Sequence, residues 1–432
     1  MKIAYFSPFL PIRSGISDFS EELVWKLKEH GDIVLFADNG IIQNEKLVEN
    51  FDIMDINAYR DGKIRSQFDA AVFHVGNNYQ FHKEIVEVFL EYGGILELHD
   101  IALHHFLAEA TVVKGKTEEY IQAMKYCHGD EGEKVARAFL SGKRNAPWEK
   151  ESLKYIVNKY LIDRAQAIIV HSGFAYEIVR GIRYNVPLIK IELHTPEIDI
   201  YSQERKNETR HKMGISEDKL ILGAFGYASI EKRIVQILEA LALYKKRDEN
   251  FHFYIVGKVE QADILKRIEK LGLQENVTVT GYVNLDEFKE FMMVCDVAFN
   301  LRYPTQGESS ASLARLLGFG KVVFVTDIAT FKEYPDDVVV KIEYGRREVK
   351  QIYENLLSIK ERLGIYGKNS YQYALKHNNL DINAKIYMDF FQKIVNNEEI
   401  DDEYEDHILN HLFQIKLEDE DYVKHLCEKM KY

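Results

Sequence analysis

Short apolar runs recur along the chain, and most are continuous rather than alternating with polar residues. Lys2–Phe6, Ile33–Ala37, Ala70–Val75, Gly94–Leu98, Ala167–His171 and Leu188–Leu193 read as strands. Unbroken runs of this length suit a parallel sheet covered on both faces. Amphipathic stretches separate them, beginning with a helix expected from Ser17 to His30. Residues 110–161 break the rhythm and read as a helical insert, with apolar patches such as Tyr120, Met124, Cys127 and Val135, Ala138, Phe139. A polar linker follows Thr195, and the alternation then restarts. Leu220–Phe225, Phe253–Val256, Val277–Thr280, Val297–Leu301, Val322–Val325 and Val338–Ile342 are expected strands. Helices are expected at Lys232–Tyr244, Ala262–Lys270, Leu285–Val294, Ser309–Phe319 and Val349–Leu363. The expected fold class is α/β: two doubly wound Rossmann-like domains facing a cleft, with a helical C-terminal extension. The expected domains are 1–195 with an insert at 110–161, 196–375, and C-terminal helices with an acidic tail over 376–432. Ligands of such sheets sit at the carboxyl ends of the strands.

Composition narrows the classes. The chain has 432 residues, 46% hydrophobic and 29% charged, so a folded protein of two domains is expected. No apolar run is long enough for a transmembrane helix. The start, MKIAYFSPF, lacks a secretory pattern. Cys127, Cys295 and Cys427 form neither metal spacing nor a disulfide framework, which fits a reducing cytoplasm. The net charge of −13 argues against nucleic acid as a partner. From Glu398 to Tyr432 there are twelve acidic and four basic residues, so most of the net charge sits in this tail. Its stripe Ile408, Leu412, Ile415 offers a face for packing, or for an oligomer partner.

Neither a Gly-x-Gly-x-x-Gly turn nor a Gly-x4-Gly-Lys-Ser/Thr loop follows the first strand of either half, which argues against nicotinamide and ATP-hydrolysing chemistry. The richest cluster is Leu301-Arg302-Tyr303-Pro304-Thr305-Gln306-Gly307-Glu308-Ser309-Ser310. Here a strand ends, a turn follows, and small residues open a helix whose bare N–H groups can hold a phosphate. Arg302 adds a forked donor. Glu308 suits sugar hydroxyls beside that phosphate; as a first-turn helix acid it would merely favour the dipole. After Phe225, Gly226 allows close backbone approach and Lys232 supplies a point charge for a diphosphate, whereas Arg233 reads as solvated. In the first half, Ser14-Gly15-Ile16-Ser17-Asp18 is another glycine turn before a helix, with Ser17 or Asp18 as its cap. His99 ends a strand, while His104 and His105 read as structural and a metal role for them lacks a supporting carboxylate. Gly76-Asn77-Asn78 and His171-Ser172 also end strands.

With these strings the sequence resembles the retaining GT-B glycosyltransferases of family 4, over Lys2 to about Ile394, and most closely a bacterial surface-polysaccharide branch. The strings that carry the resemblance are Ser14 to Ser20, Leu98-His99-Asp100-Ile101-Ala102-Leu103-His104-His105, Lys232-Arg233, and Leu301 to Thr305 with Gly307-Glu308-Ser309. The resemblance implies a nucleotide-sugar donor held by the second half and a glycan, lipid-linked or protein-linked acceptor held by the first. It implies that Lys232 contacts the diphosphate, Glu308 the sugar, and His99 the reacting centre, with the Gly15 loop over the phosphates and no obligatory metal or other cofactor. Gly226, Arg302, Gly307, Ser309 and Ser310 complete the expected donor site. Two positions depart from the family pattern: Tyr227 replaces an Arg, and Arg315 stands where a ribose-binding Glu is usual. A non-catalytic partner subunit and a GT-B phosphorylase or epimerase are the alternatives. The expected location is cytoplasmic, at the inner face of the membrane if the insert's Lys114, Lys116, Lys143, Arg144 and Trp148 meet anionic lipid.

Overall fold

In the computed structural model, residues 1–199, 202–260, 263–400, 410 and 412–414 are described. The acidic tail therefore lies almost wholly outside the described residues, as do Ile408 and Ile415 of its stripe. The chain forms two compact units. The first comprises Met1–Leu193, the loop Pro304–Ser309 and the helix Leu380–Val395; the second comprises His194–Tyr303 and Ser310–Asn379.

The first unit is built on a parallel sheet of seven strands: β1 (Lys2–Phe6), β2 (Asp32–Ala37), β3 (Asp52–Asp55), β4 (Ala70–Val75), β5 (Ile95–Leu98), β6 (Ala167–Val170) and β7 (Leu188–Lys190). Their order is β3-β2-β1-β4-β5-β6-β7, so the winding reverses between β1 and β4. The apolar runs are buried because helices cover both faces. Edge strand β3 was not expected, because Asp-Ile-Met-Asp is short, polar at both ends and only partly buried. The insert has a small core of its own around Tyr120, Met124, Val135 and Tyr155. Trp148 turns into it, with ring centroids 4.9 Å from Phe139 and 5.2 Å from His104. Lys116 pairs with Glu119 at 3.2 Å and Arg144 pairs with Glu151. The aromatic residue of the expected lipid-facing patch is thus spent on packing. The helix Leu380–Val395 lies against the helix Gly15–Lys28, burying Ile386, Tyr387, Phe390 and Phe391.

The second unit carries a six-stranded parallel sheet: β8 (Leu220–Phe225), β9 (Phe251–Val256), β10 (Val277–Gly281), β11 (Val297–Asn300), β12 (Val322–Thr326) and β13 (Val339–Ile342). Its order, β10-β9-β8-β11-β12-β13, reverses between β8 and β11. The stretch expected as one helix, Val349–Leu363, is two: Glu348–Leu357 and Ile359–His377.

Candidate functional site

In the second unit, the expected donor residues gather at the carboxyl ends of the two strands that flank the reversal. Gly226 leaves β8 with φ +91°, a conformation costly for any residue with a Cβ. Lys232 closes a short 3-10 turn, and its ammonium folds back to donate to the Phe225 carbonyl at 3.3 Å. From the end of β11, Tyr303 N–H donates to the Glu231 carbonyl at 2.9 Å, which ties the two loops together. Arg302 is anchored by its own N–H to the Thr326 hydroxyl at 2.9 Å and donates through Nη2 to Ser310 Oγ at 3.2 Å. Ser310 is the N-cap of the helix Ala311–Gly318 and accepts from Leu313 N–H at 3.3 Å. Arg233 is not solvated as expected. It forms a two-pronged pair with the buried Glu348 carboxylate, at 3.0 and 2.7 Å. Glu348 opens the helix that packs on the one following Arg233, a tertiary contact with no local signal in the chain.

The loop Pro304–Ser309 belongs to the first unit. Glu308 is not in the first turn of a helix, because that helix begins at Ala311. Its Oε2 instead accepts from Thr305 Oγ1 at 2.7 Å and from Gln306 N–H at 2.8 Å. Ser309 donates to the His171 carbonyl at 3.1 Å, Ser152 to the Thr305 carbonyl at 2.9 Å, and Ala102 N–H to the Gln306 carbonyl at 3.1 Å. Gly307 sits at φ +72°, where an added Cβ would come within 2.3 Å of Ile101 and 3.0 Å of Phe174. Gly307→Ala is therefore expected to cost about 2–4 kcal/mol through left-handed backbone and overpacking. Urea unfolding beside Gly15→Ala checks this, because Gly15 has no atom within 4 Å of its notional Cβ.

The other first-unit motifs divide into structural and clustered groups. Ser14, rather than Ser17 or Asp18, caps the first helix, accepting from Ser17 N–H at 3.0 Å while Ser17 is buried. Asn77 donates its N–H to Asp100 at 2.7 Å and accepts from Phe106 N–H at 3.0 Å, and Asn78 caps the next helix. His104 is buried among insert groups, with Nδ1 3.0 Å from the Tyr155 carbonyl and Nε2 2.9 Å from Tyr120 Oη; burial pushes its pKa down to about 4.

His99, by contrast, belongs to a titratable cluster behind the ends of β4, β5 and β6. Its Nε2 lies 3.0 Å from His74 Nδ1, and its ring packs 5.1 Å from Phe19 and 4.6 Å from His171. Glu97, fully buried, has Oε2 3.5 Å from His74 Nε2 and Oε1 3.4 Å from His171 Nε2. Tyr387 donates to Glu97 Oε1 at 2.7 Å. Burial drives the Glu97 carboxyl up to about 8, a rise that the Tyr387 hydrogen bond opposes. Burial also holds His74 well below the usual imidazole range, reinforced by His171 and His82. Donor atoms of His74, Glu97 and His99 lie within 4.8 Å of one another. His74 Nδ1 and His99 Nε2 are spaced to share a hydrogen. Sequence reasoning missed Glu97 and His74 because each was absorbed into an apolar run. A lone ionisable residue inside such a run was the available signal.

The raised Glu97 pKa has a definite pH consequence. An unfolded carboxyl ionises near 4.3, so between there and about 8 the folded state binds the extra proton. The stability this residue contributes is present below that window and falls as pH rises through it. The buried histidines run the opposite way, losing stability as pH falls below the ordinary imidazole value. Urea midpoints of wild type minus Glu97→Gln, taken from pH 5 to 9, isolate Glu97 together with the histidines that face it. That difference is expected to decline toward pH 8 and then flatten.

Residues 205–362 match the family model for group 1 glycosyl transferases. This segment is thus similar to group 1 glycosyltransferases. It contains Gly226, Lys232, Arg302, Ser309 and Ser310, and also Glu308 with its loop. A glycosyltransferase of Methanocaldococcus jannaschii is 24% identical over 220 residues, which cover 49% of this chain and 54% of that protein. The chain thus matches about half the length of this relative. The fold is shared more widely. A glycosyltransferase from Rickettsia africae superposes with a TM-score of 0.63 at 12% identity, covering 92% of this chain and 99% of that one. HepE of Anabaena, solved with UDP and glucose, gives 0.61 at 12% identity, covering 91% and 100%. Both sheets are therefore those of a GT-B fold. In the second unit, Tyr227 is half exposed, and Arg315 is buried against Glu197 at 2.5 Å. Lys289 approaches the same carboxylate at 3.0 Å. The unusual arginine is balanced by an acid from the linker. Among the described residues no helix is long and apolar enough to cross a membrane.

Proposed function

We propose that this protein is a retaining, family 4-type glycosyltransferase. It moves a hexosyl group from a nucleoside diphosphate to a hydroxyl of a glycan, lipid-linked or protein-linked acceptor, in bacterial polysaccharide or glycoconjugate assembly. One observation carries the reading. Lys232 and Arg302 follow β8 and β11, the adjacent strands at which the winding of the second sheet reverses, inside the segment that matches the group 1 family. A reversal of this kind opens a crevice for a ligand, and two cations with a capped helix start suit a diphosphate.

As the sugar departs, negative charge grows on the diphosphate. Lys232, Arg302 and the N–H groups at Ser309 and Ser310 are the donors that stabilise it, and the reaction has no requirement for a metal. Glu308, held by its own loop, accepts from the sugar hydroxyls. Gly226 and Gly307 let backbone come close to the donor, and the Gly15 turn offers N–H groups to the phosphates. His99 stands near the reacting centre. Retention follows from same-face attack, in which the leaving phosphate oxygen takes the acceptor proton. The Anabaena neighbour solved with UDP and glucose makes UDP-sugars the first donors to try. Nucleotide release across a panel of sugar nucleotides tests the reading, with the anomeric configuration of the product read by NMR. Transfer with inversion, or sugar release that needs phosphate and no acceptor, would overturn it. The reaction is placed in the cytoplasm.

A further inference from the structure

Behind His99 lies a row of buried groups that the transfer chemistry above leaves unused. Tyr387 Oη is 2.7 Å from Glu97 Oε1, Glu97 Oε2 is 3.5 Å from His74 Nε2, and His74 Nδ1 is 3.0 Å from His99 Nε2. Glu97 and His74 are both fully buried, and their facing atoms, Oε2 and Nε2, have no hydrogen-bond partner and stand 3.5 Å apart, a short side-chain movement from bonding each other. We propose that Glu97, His74 and His99 form a proton relay, in which Glu97 acts through His74 to set the protonation state of His99. Glu97 and His74 are positioning residues in this scheme. Its bearing on transfer rests on the reading of His99 given above.

The geometry dictates the direction of each bond. Tyr387 donates to Oε1, so an acid proton on Glu97 sits on Oε2 and faces His74 Nε2. A neutral imidazole donates from one nitrogen and accepts at the other. With Glu97 protonated, His74 therefore accepts at Nε2 and donates from Nδ1 to His99 Nε2. Transfer along the row breaks the Oε2–H bond as N–H forms on His74 Nε2. It breaks His74 Nδ1–H as N–H forms on His99 Nε2. One proton moves, leaving a carboxylate on Glu97 and an imidazolium on His99, and charge is conserved.

The surroundings favour sharing of that proton over its loss. The titratable groups that face Glu97 are Tyr387 from the last described helix, Tyr5 from β1, His74 from β4, His99 after β5 and His171 after β6. None of these is a lysine or arginine, so among the described residues the counterions facing the carboxylate are imidazoles. His171 has Nδ1 2.8 Å from the Ile191 carbonyl, which fixes Nδ1 as a donor and turns Nε2 toward Glu97 as an acceptor. His82 has Nδ1 3.1 Å from the His74 carbonyl and so steadies the middle member. A lone buried charge is costly, whereas a proton held between two partners is not.

The test is a pH titration by nitrogen NMR of the full chain labelled with 15N-histidine and free of substrates, with the His99 signals assigned through His99→Asn. Wild-type His99 is expected to show a titration step shared with Glu97. Glu97→Gln, which fills the same space and cannot pass a proton, should remove that step and shift the remaining one by about one pH unit, tenfold in proton affinity. Tyr387→Phe keeps the carboxyl, removes its donor, and should move the shared step to higher pH; it serves if Glu97→Gln does not fold. A His99 titration unchanged in the folded variant would overturn the relay, since a purely structural Glu97 would alter stability alone. Stoichiometric transition metal in the purified protein would overturn it as well. The measurement needs no turnover, so a relay that fails and a transferase reading that fails are distinguishable.

Discussion

Lys232→Ala is expected to lower nucleotide release from the preferred sugar donor about 100- to 1,000-fold, the usual cost of one preorganised donor to a developing anion. The ammonium lies over the end of β8 and donates to the Phe225 carbonyl at 3.3 Å, and its removal should leave the fold intact. A circular dichroism spectrum and urea midpoint close to wild type would establish that. The loss should appear mainly in kcat if the charge acts on the leaving group and mainly in KM if it only holds the ground state. Lys232→Arg should recover part of the activity, because the charge remains while the geometry of a point contact does not. Turnover that survives the alanine change undiminished would remove Lys232 from the site.

Glu197→Ala is expected to destabilise the protein by about 3–5 kcal/mol, the range for breaking a buried ion pair. Glu197 is fully buried and faces Arg315 at 2.5 Å and Lys289 at 3.0 Å, with the Thr195 hydroxyl bonded to its other oxygen. Removing it leaves two cations without their shared counterion. Replacing the pair together, as Glu197→Leu with Arg315→Met, should return much of the loss, since apolar substitutes avoid the desolvation penalty. Urea unfolding of the single and double variants measures both quantities. A single variant as stable as wild type would mean that Arg315 finds another acid, and the balance described for the linker would fail.

Lys232 and Arg233 differ in how far along the chain their surroundings are written. Lys232 follows a glycine turn at a strand end, and a strand end is visible in a single stretch of sequence. Arg233 sits one residue later and looks equally exposed, yet its partner Glu348 is 115 residues away. Long-range pairing of this kind leaves no local trace. Glu308 teaches the same point differently. Its neighbours in sequence suggested a helix start, while the loop actually closes on its own hydroxyl and N–H groups.

What the sequence by itself determined is the double α/β winding, because short continuous apolar runs alternating with amphipathic stretches suit covered parallel strands. It also placed Gly226, Lys232 and Arg302 just after strand ends, since apolar runs and glycine turns act within a few bonds. Tertiary structure alone decided that Glu97, His74, His99 and Tyr387 share one buried row. Their pairing spans up to 290 residues of chain. It arises because adjacent parallel strands and a returning helix bring their side chains to one place, where exclusion of water makes a single proton matter.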